Sequence, residues 1–343
     1  RTSLWLEADP KLGPVEGLYQ AIVTGDAIGG PMEGRKPKGA VDWRDLLGTK
    51  TGAPKGFDVI VANPPFEVLK GFARRKGLKD YVGRIRKCGY NLALHGNLNT
   101  YRLFLERSLD VLEPNGSLAF VLPYGFLMDR TAGPLRSHMV KSGWMRRVEA
   151  YPESSRAFED VGQSVILLSL AKARSSSCKI LISDGTGEQE ECSVTEEQLA
   201  ALDEKQVPIP VSRSGSFGLA AKLRNVNGAC FGDLADGRVG EVDQTVYARF
   251  MKSKPSASLL VRGIHLEPFL ADLDTGRRDK RWLDSRGFDR ARGKGQWRAD
   301  IEAPRVVQTG IVNMEAARRL VAARAPVGIY CGNSLNYWVP KGT

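Results

Sequence analysis

The chain has 343 residues, 42% of them hydrophobic, and its 50 Lys and Arg against 39 Asp and Glu give a formal net charge of +11. That length suits two domains with sizeable cores, and the positive balance predicts attraction to a polyanion, most simply nucleic acid. Five scattered cysteines with no C-x-x-C pair argue against a metal site and a disulfide framework and fit a reducing cytoplasm, and no apolar run is long enough to span a membrane.

Residues Arg1 to Leu6 read like the middle of a helix, and Tyr337 to Val339 like a strand cut short, so the sequence is expected to be a piece of a longer chain lacking residues at both ends. Pro10 to Gly17 is loop. Ala21 to Thr24 reads as a short strand, and Gly25-Asp26-Ala27-Ile28 after it places a carboxylate at a strand end. Gly29 to Gly56 is a basic, Gly/Pro-rich loop with Trp43 as its one anchor.

Phe57 to Asn63 is a short run of apolar and β-branched residues that stops at Pro64 and Pro65. Without alternation, such a run predicts a strand covered on both faces. Two prolines cannot donate ladder hydrogen bonds, so pairing ends at Asn63. The Asn63 side chain and the Pro64 carbonyl then sit at the carboxyl end of the strand, where open α/β sheets bind ligands. An amide oxygen and a main-chain carbonyl can accept both N–H bonds of an exocyclic amino group, leaving the nitrogen lone pair free for a methyl donor. Phe66 can stack on the flat ring, a contact worth ~1–3 kcal/mol.

Asn63-Pro64-Pro65-Phe66 after a hydrophobic strand resembles the N-P-P-Y/F motif of amino-group methyltransferases that use S-adenosylmethionine (SAM). The resemblance implies that Asn63, Pro64, Pro65 and Phe66 are catalytic. It also implies that Asp26 and Ala27, in a G-D-A-I pattern, bind the cofactor together with Asn63. The family's Gly-rich turn after its first strand, and its acidic residue after the second, do not occur in this sequence; in a piece of a longer chain they are expected upstream of Arg1.

Lys70 to Tyr90 is strongly basic and follows the motif directly; in the family such a segment runs near the DNA backbone. Asn97 to Tyr101 opens a helix reaching about Leu112, with Asn99 or Thr100 as its cap and Leu103, Phe104, Leu109 and Leu112 as its apolar stripe. The family lines its cofactor pocket near Asn97 and Tyr101. Pro114-Asn115-Gly116 predicts a tight turn, Ser117 to Leu122 a buried strand, Thr131 to Ser142 a helix, and Trp144 to Tyr151 and Gln163 to Ala171 two further strands. Phe158, in the loop before the last of these, resembles the family's second base-stacking aromatic, facing Phe66 across a flipped adenine.

Arg174 is expected to close the first domain, leaving 1–174 as the catalytic domain without its first strands, 175–215 as a linker with a short strand at Lys179 to Ser183 and a helix over Val194 to Leu202, and 216–343 as an incomplete second domain. From 216 on, the texture changes to short strands with many glycines. G-E-V, L-x-x-G and P-R-V-V-Q elements follow, in an order that resembles the target-recognition domain of single-chain adenine methyltransferases. Between them, Arg277, Arg278, Lys280, Arg281, Arg286, Arg290, Arg292, Lys294 and Arg298 are interleaved with Trp282 and Trp297, a pattern suited to phosphate contacts.

The expected fold is therefore α/β: a Rossmann-like SAM-dependent methyltransferase sheet followed by a mixed α+β target-recognition domain. The expected function is N6-adenine methylation of double-stranded DNA within a restriction–modification or phage-defence system, in a bacterial or archaeal cytoplasm, with room for a nuclease or helicase domain or subunit elsewhere in the system. An RNA or protein-glutamine N-methyltransferase and a non-catalytic DNA-recognition fragment are the alternatives.

Overall fold

Six strands of the first half form one mixed sheet, and a second group of shorter strands forms a separate unit. The computed structural model describes residues 23–30, 39–43, 56–69, 78–151, 153, 163–174, 179–183, 192–211, 216–224, 226, 231–271, 282–312, 318 and 320–341. The chain divides into Arg1–Val226 and Asn227–Thr343.

In the first unit the elements run β1 (Phe57–Ala62), α1 (Leu78–Ile85), α2 (Thr100–Val111), β2 (Leu112–Pro123), α3 (Gly133–Lys141), β3 (Met145–Tyr151), β4 (Val165–Ala171), β5 (Lys179–Ser183), β6 (Cys192–Thr195), α4 (Glu196–Leu202) and α5 (Ser216–Arg224). The sheet order is β1-β2-β4-β3-β5-β6. β1 and β2 are parallel, whereas β4 runs antiparallel to both β2 and β3. This reversed strand inserted between β2 and β3 agrees with the expected Rossmann-like methyltransferase sheet.

Alternation sorts the sheet into two faces. Leu118, Phe120 and Leu122 of β2, Ile166, Leu168 and Leu170 of β4, and Val148 and Ala150 of β3 are buried and share one core with Leu103 and Leu109 of α2 and Leu135 and Met139 of α3. The opposite face is open among the described residues: Val59 and Val61 are 66% and 76% exposed. The expectation that β1 is covered on both faces is thus corrected, because α2 and α3 pack on one side only.

Two further corrections concern boundaries. Pro114-Asn115-Gly116 is not a turn ahead of a strand but a kink within β2, with Asn115 at a φ of +67°. Gly116 fits there because a Cβ would lie 3.0 Å from the Asp58 carbonyl oxygen. The described part of the expected linker, residues 179–183 and 192–211, is folded into the first unit. β5 pairs with β3, β6 pairs with β5, and α4 begins with a capping box between Thr195 and Gln198. Arg136, fully buried on α3, donates to the carbonyls of Phe126 (2.5 Å), Asp129 (2.7 Å), Gln206 (2.9 Å) and Val207 (3.2 Å), tying residues 70 apart in sequence.

The second unit comprises α6 (Phe231–Leu234), β7 (Ala235–Val239), β8 (Met251–Lys252), β9 (Ser258–Val261), β10 (Leu266–Glu267), β11 (Leu270–Ala271), β12 (Trp282–Leu283), α7 (Ser285–Arg292), α8 (Trp297–Ile301), β13 (Arg305–Thr309), β14 (Ala322–Ala325), β15 (Tyr330–Cys331) and β16 (Leu335–Pro340). Its two four-stranded sheets have the orders β15-β9-β12-β8 and β14-β13-β16-β7. Two apolar clusters fill it, one around Val307, Leu335 and Tyr337, the other around Leu283, Phe288 and Trp297.

Cys331 is fully buried, and that burial pushes its thiol up to about 12. A thiol reagent at about pH 8 is therefore expected to spare Cys331 in the native protein and to label it once denaturant opens the second unit. Peptide mapping reads both states, and rapid labelling of the native protein would contradict this placement.

Candidate active site

The last rung of β1 pairs Ala62 with Phe120, and the chain then leaves the sheet through Asn63-Pro64-Pro65-Phe66. Proline explains the departure, since neither ring nitrogen carries a donor to continue the ladder. Asn63 is exposed and Pro64 is buried. Among the described residues, no hydrogen bond engages the Asn63 amide, so its oxygen is available to a ligand. Phe66 is half-buried and packs edge-on against Tyr101 at 6.2 Å between ring centroids; Tyr101 in turn meets Phe126 at 6.3 Å. Tyr101 is 3% exposed, and burial pushes its hydroxyl up to about 12. It backs the Phe66 ring from within the core. A cavity of about 390 Å³ opens beside Asn63 on the uncovered sheet face, lined by Val61, Ala119 and Leu167 with the ion pair of Arg147 and Glu149 at its rim.

The segment after the motif is fastened to the start of α2. Leu69 N–H donates to the Leu98 carbonyl at 2.8 Å, and Thr100 N–H to the Glu67 carbonyl at 2.9 Å, forming a short antiparallel bridge. Asn99 caps α2 by accepting from Tyr101 N–H at 3.3 Å. The loop before it is built on two buried charges. Glu106 accepts from the N–H groups of Asn91, Leu92 and Ala93 at 2.6, 2.9 and 2.7 Å. Arg102 donates to the carbonyls of His95 (2.9 Å), Thr131 (2.6 Å) and Asn97. The Asn97 carbonyl is therefore committed to the fold.

Asp26 differs from expectation. Residues 23 and 24 are not in a strand; Asp26 instead bridges to Ala40. Its Oδ1 accepts from Ile28 N–H (3.2 Å), Gly29 N–H (2.9 Å) and the Tyr81 hydroxyl (3.0 Å), and its Oδ2 from Arg84 (3.2 Å). Three of these bonds fall on Oδ1 and one on Oδ2, so the carboxylate is engaged by its own turn and by α1 and keeps one acceptor position on Oδ2. Burial, reinforced by the Asp26 charge, pushes the Tyr81 hydroxyl upward. Ala27 offers its carbonyl to the Trp43 indole N–H at 2.9 Å, and Trp43 lies 6.2 Å from Phe104 of α2.

Asn63, the Pro64 carbonyl and Phe66 suit a substrate amino group that would receive a methyl. On the SAM side, Asp26 keeps one acceptor position on Oδ2, and no Gly-rich strand-to-helix turn occurs among the described residues. Nor do those residues contain a cluster that could hold a metal ion.

The basic positions of the second unit separate into classes. Arg277, Arg278, Lys280 and Arg281 lie outside the described residues, as does Phe158 of the first unit. Arg290, Lys294 and Arg298 are exposed, and Arg286 joins them one helical turn before Arg290. Arg292 is corrected: it turns inward, donating to the Glu241 carbonyl and lying 5.5 Å from the Trp297 ring. Trp297 itself is 7% exposed and belongs to the core, so it is no stacking platform.

Residues 5–158 match the family described as Eco57I restriction-modification methylase. A curated relative, the type II methyltransferase M.AccI of Acinetobacter calcoaceticus, is 28% identical over 104 residues, covering 30% of this chain and 18% of its own length. Among solved structures, the type IIL restriction-modification enzyme MmeI in complex with DNA is 11% identical, covers 88% of this chain and 43% of its own, and superposes with a TM-score of 0.49. The DrdV–DNA complex is 14% identical, covers 84% of this chain and 36% of its own, and gives 0.42. The chain thus spans less than half the length of each of these proteins.

Proposed function

We propose that this chain is the catalytic half of a restriction–modification DNA methyltransferase, acting on the N6 amino group of adenine, joined to a unit that binds the DNA. The observation that carries this reading is the end of β1, where an unengaged Asn63 amide and the Pro64 carbonyl stand beside a Phe66 ring backed by Tyr101. The target base leaves the duplex and stacks on Phe66, which compensates part of the unstacking cost. Asn63 and the Pro64 carbonyl accept the two N–H bonds of the amino group and fix its orientation, and the apolar surroundings strengthen those bonds. The cofactor, SAM, supplies the methyl group when bound. Phe158 is the candidate second stacking ring, and Asp26 and Ala27 remain candidates for the cofactor side.

For the DNA-binding unit, Arg286, Arg290, Lys294 and Arg298 form an exposed basic stripe suited to phosphates, with Arg277, Arg278, Lys280 and Arg281 as further candidates. Replacing the four stripe residues by Ala is expected to weaken binding across all sequences and to flatten the dependence of log K on log salt by roughly 0.9 per lost phosphate contact. A fluorescence-anisotropy titration at several salt concentrations reads it; an unchanged slope would remove the stripe from the interface.

The second reading is a chain that recognises DNA without methylating it, favoured by the engagement of Asp26 with its own turn and with Tyr81 and Arg84. Expression of the intact protein in a methylation-free host, with modified bases mapped by long-read sequencing, separates the two. N6-methyladenine at one defined motif is the expected result. DNA binding with no modified base would leave the second reading.

A further inference from the structure

One hydroxyl brackets the stacking aromatic. Thr100 Oγ1 donates to the Pro65 carbonyl at 2.5 Å and accepts from Glu67 N–H at 3.0 Å, so it holds the peptides on both sides of Phe66. It lies at the first residue of α2, is 5% exposed, and its own N–H fixes the Glu67 carbonyl. The next residue, Tyr101, meets the Phe66 ring edge. Backbone and ring of Phe66 are thus referenced to one helix end, while Asn63 is referenced to the strand end of β1.

We infer that Thr100 is a positioning residue that sets the height of Phe66 over the Asn63 amide, and so determines whether a stacked base presents its amino group to both acceptors. The inference rests on the function proposed above. The chemistry demands a hydroxyl: only a group that donates and accepts from one atom can bridge a carbonyl and an N–H two residues apart. Valine has the same shape and can do neither. Serine can do both. A misplacement of about 1 Å at a reacting centre can cost about 100-fold in rate, whereas nonspecific affinity for DNA resides in phosphate contacts elsewhere.

The test compares Thr100→Val and Thr100→Ser with the wild type in the intact protein, reading methylation kcat and KM, DNA affinity, and hydrogen exchange at the Glu67 amide. Thr100→Val is expected to lower kcat about 10–100-fold, to leave DNA affinity within a small factor, and to speed exchange at Glu67 about fivefold; Thr100→Ser is expected to restore both. Equal kcat in the Val and Ser variants, or unchanged exchange at Glu67 in Thr100→Val, would overturn the inference. If the wild type methylates no DNA, the proposed function fails, and the exchange comparison alone then decides the clamp. Should Thr100→Val not fold, Thr100→Ala, which lacks the hydroxyl but leaves room for water, is read in the same way.

Discussion

Asn63→Ala is expected to lower methylation kcat by about 10²–10³-fold, the usual cost of deleting one preorganised polar group at a reacting centre, while leaving DNA affinity nearly unchanged. The Asn63 side chain is exposed and bonds to nothing among the described residues, so its removal costs the fold little. What it removes is an acceptor aimed at the amino nitrogen, which leaves one N–H bond to the Pro64 carbonyl. Asn63→Asp keeps an acceptor at the same place and should retain more activity than the alanine variant. Transfer of radiolabelled methyl groups under saturating DNA measures the effect, and circular dichroism checks the fold. Undiminished transfer by Asn63→Ala would detach the chemistry from this strand end.

Arg305→Met should destabilise the second unit by about 3–5 kcal/mol, because it strands a buried carboxylate. Arg305 and Glu241 both have fully buried side chains and lie 3.2 Å apart. Glu241 also accepts from Cys331 N–H at 2.7 Å, while Arg305 donates to the Ile329 carbonyl at 2.5 Å and lies 4.7 Å from the Tyr337 ring. The pair therefore joins β13, β15 and the stretch after β7. Burial pushes the Glu241 carboxyl above its ordinary value of 4.5, and Arg305 pulls it back. Without that pull the folded carboxyl titrates higher still. A group raised in the folded state gives its full stability below the unfolded value and loses it as pH rises through the folded value. The variant's second unit should thus gain stability on acidification from neutrality. Calorimetry should place its transition roughly 10 °C or more below that of the wild type near neutral pH. The double replacement of Glu241 and Arg305 by Met, which leaves no lone charge, should recover much of the loss. A single variant as stable as the wild type would contradict the burial of the pair.

Local signals carried far in this chain. Pro64 and Pro65 end β1 where proline chemistry demands it, Asn99 caps α2, and Val165–Ala171 forms the strand that its composition predicts. Contacts distant in sequence were not legible. Nothing near Arg136 announces that its guanidinium meets the Gln206 and Val207 carbonyls, so 175–215 reads as a linker although its described residues, 179–183 and 192–211, are folded. The periodicity of Phe57–Ala62 speaks to apolarity and not to which side is covered, hence the exposure of Val59 and Val61. Asp26 carries the right residue type in the right local pattern, but whether its lone pairs are free depends on Tyr81 and Arg84, more than fifty residues away. In the candidate site, the strand end was readable because prolines act locally. Thr100 had a signal too: a hydroxyl beside the Asn99 cap is one more hydrogen-bonding group than the helix needs.

The reach of Arg136 into the 206–207 backbone also fixes where this polypeptide can be recombined. A chimaera spliced at Arg174 would strip β5 and β6 from the sheet, uncover the β3 edge, and leave a buried guanidinium short of half its carbonyl partners. A splice after Val226 keeps that lattice whole. Attaching a different second unit to this chain is thus a question of respecting a seam at Val226, beyond the stretch 175–215 where composition alone places the junction.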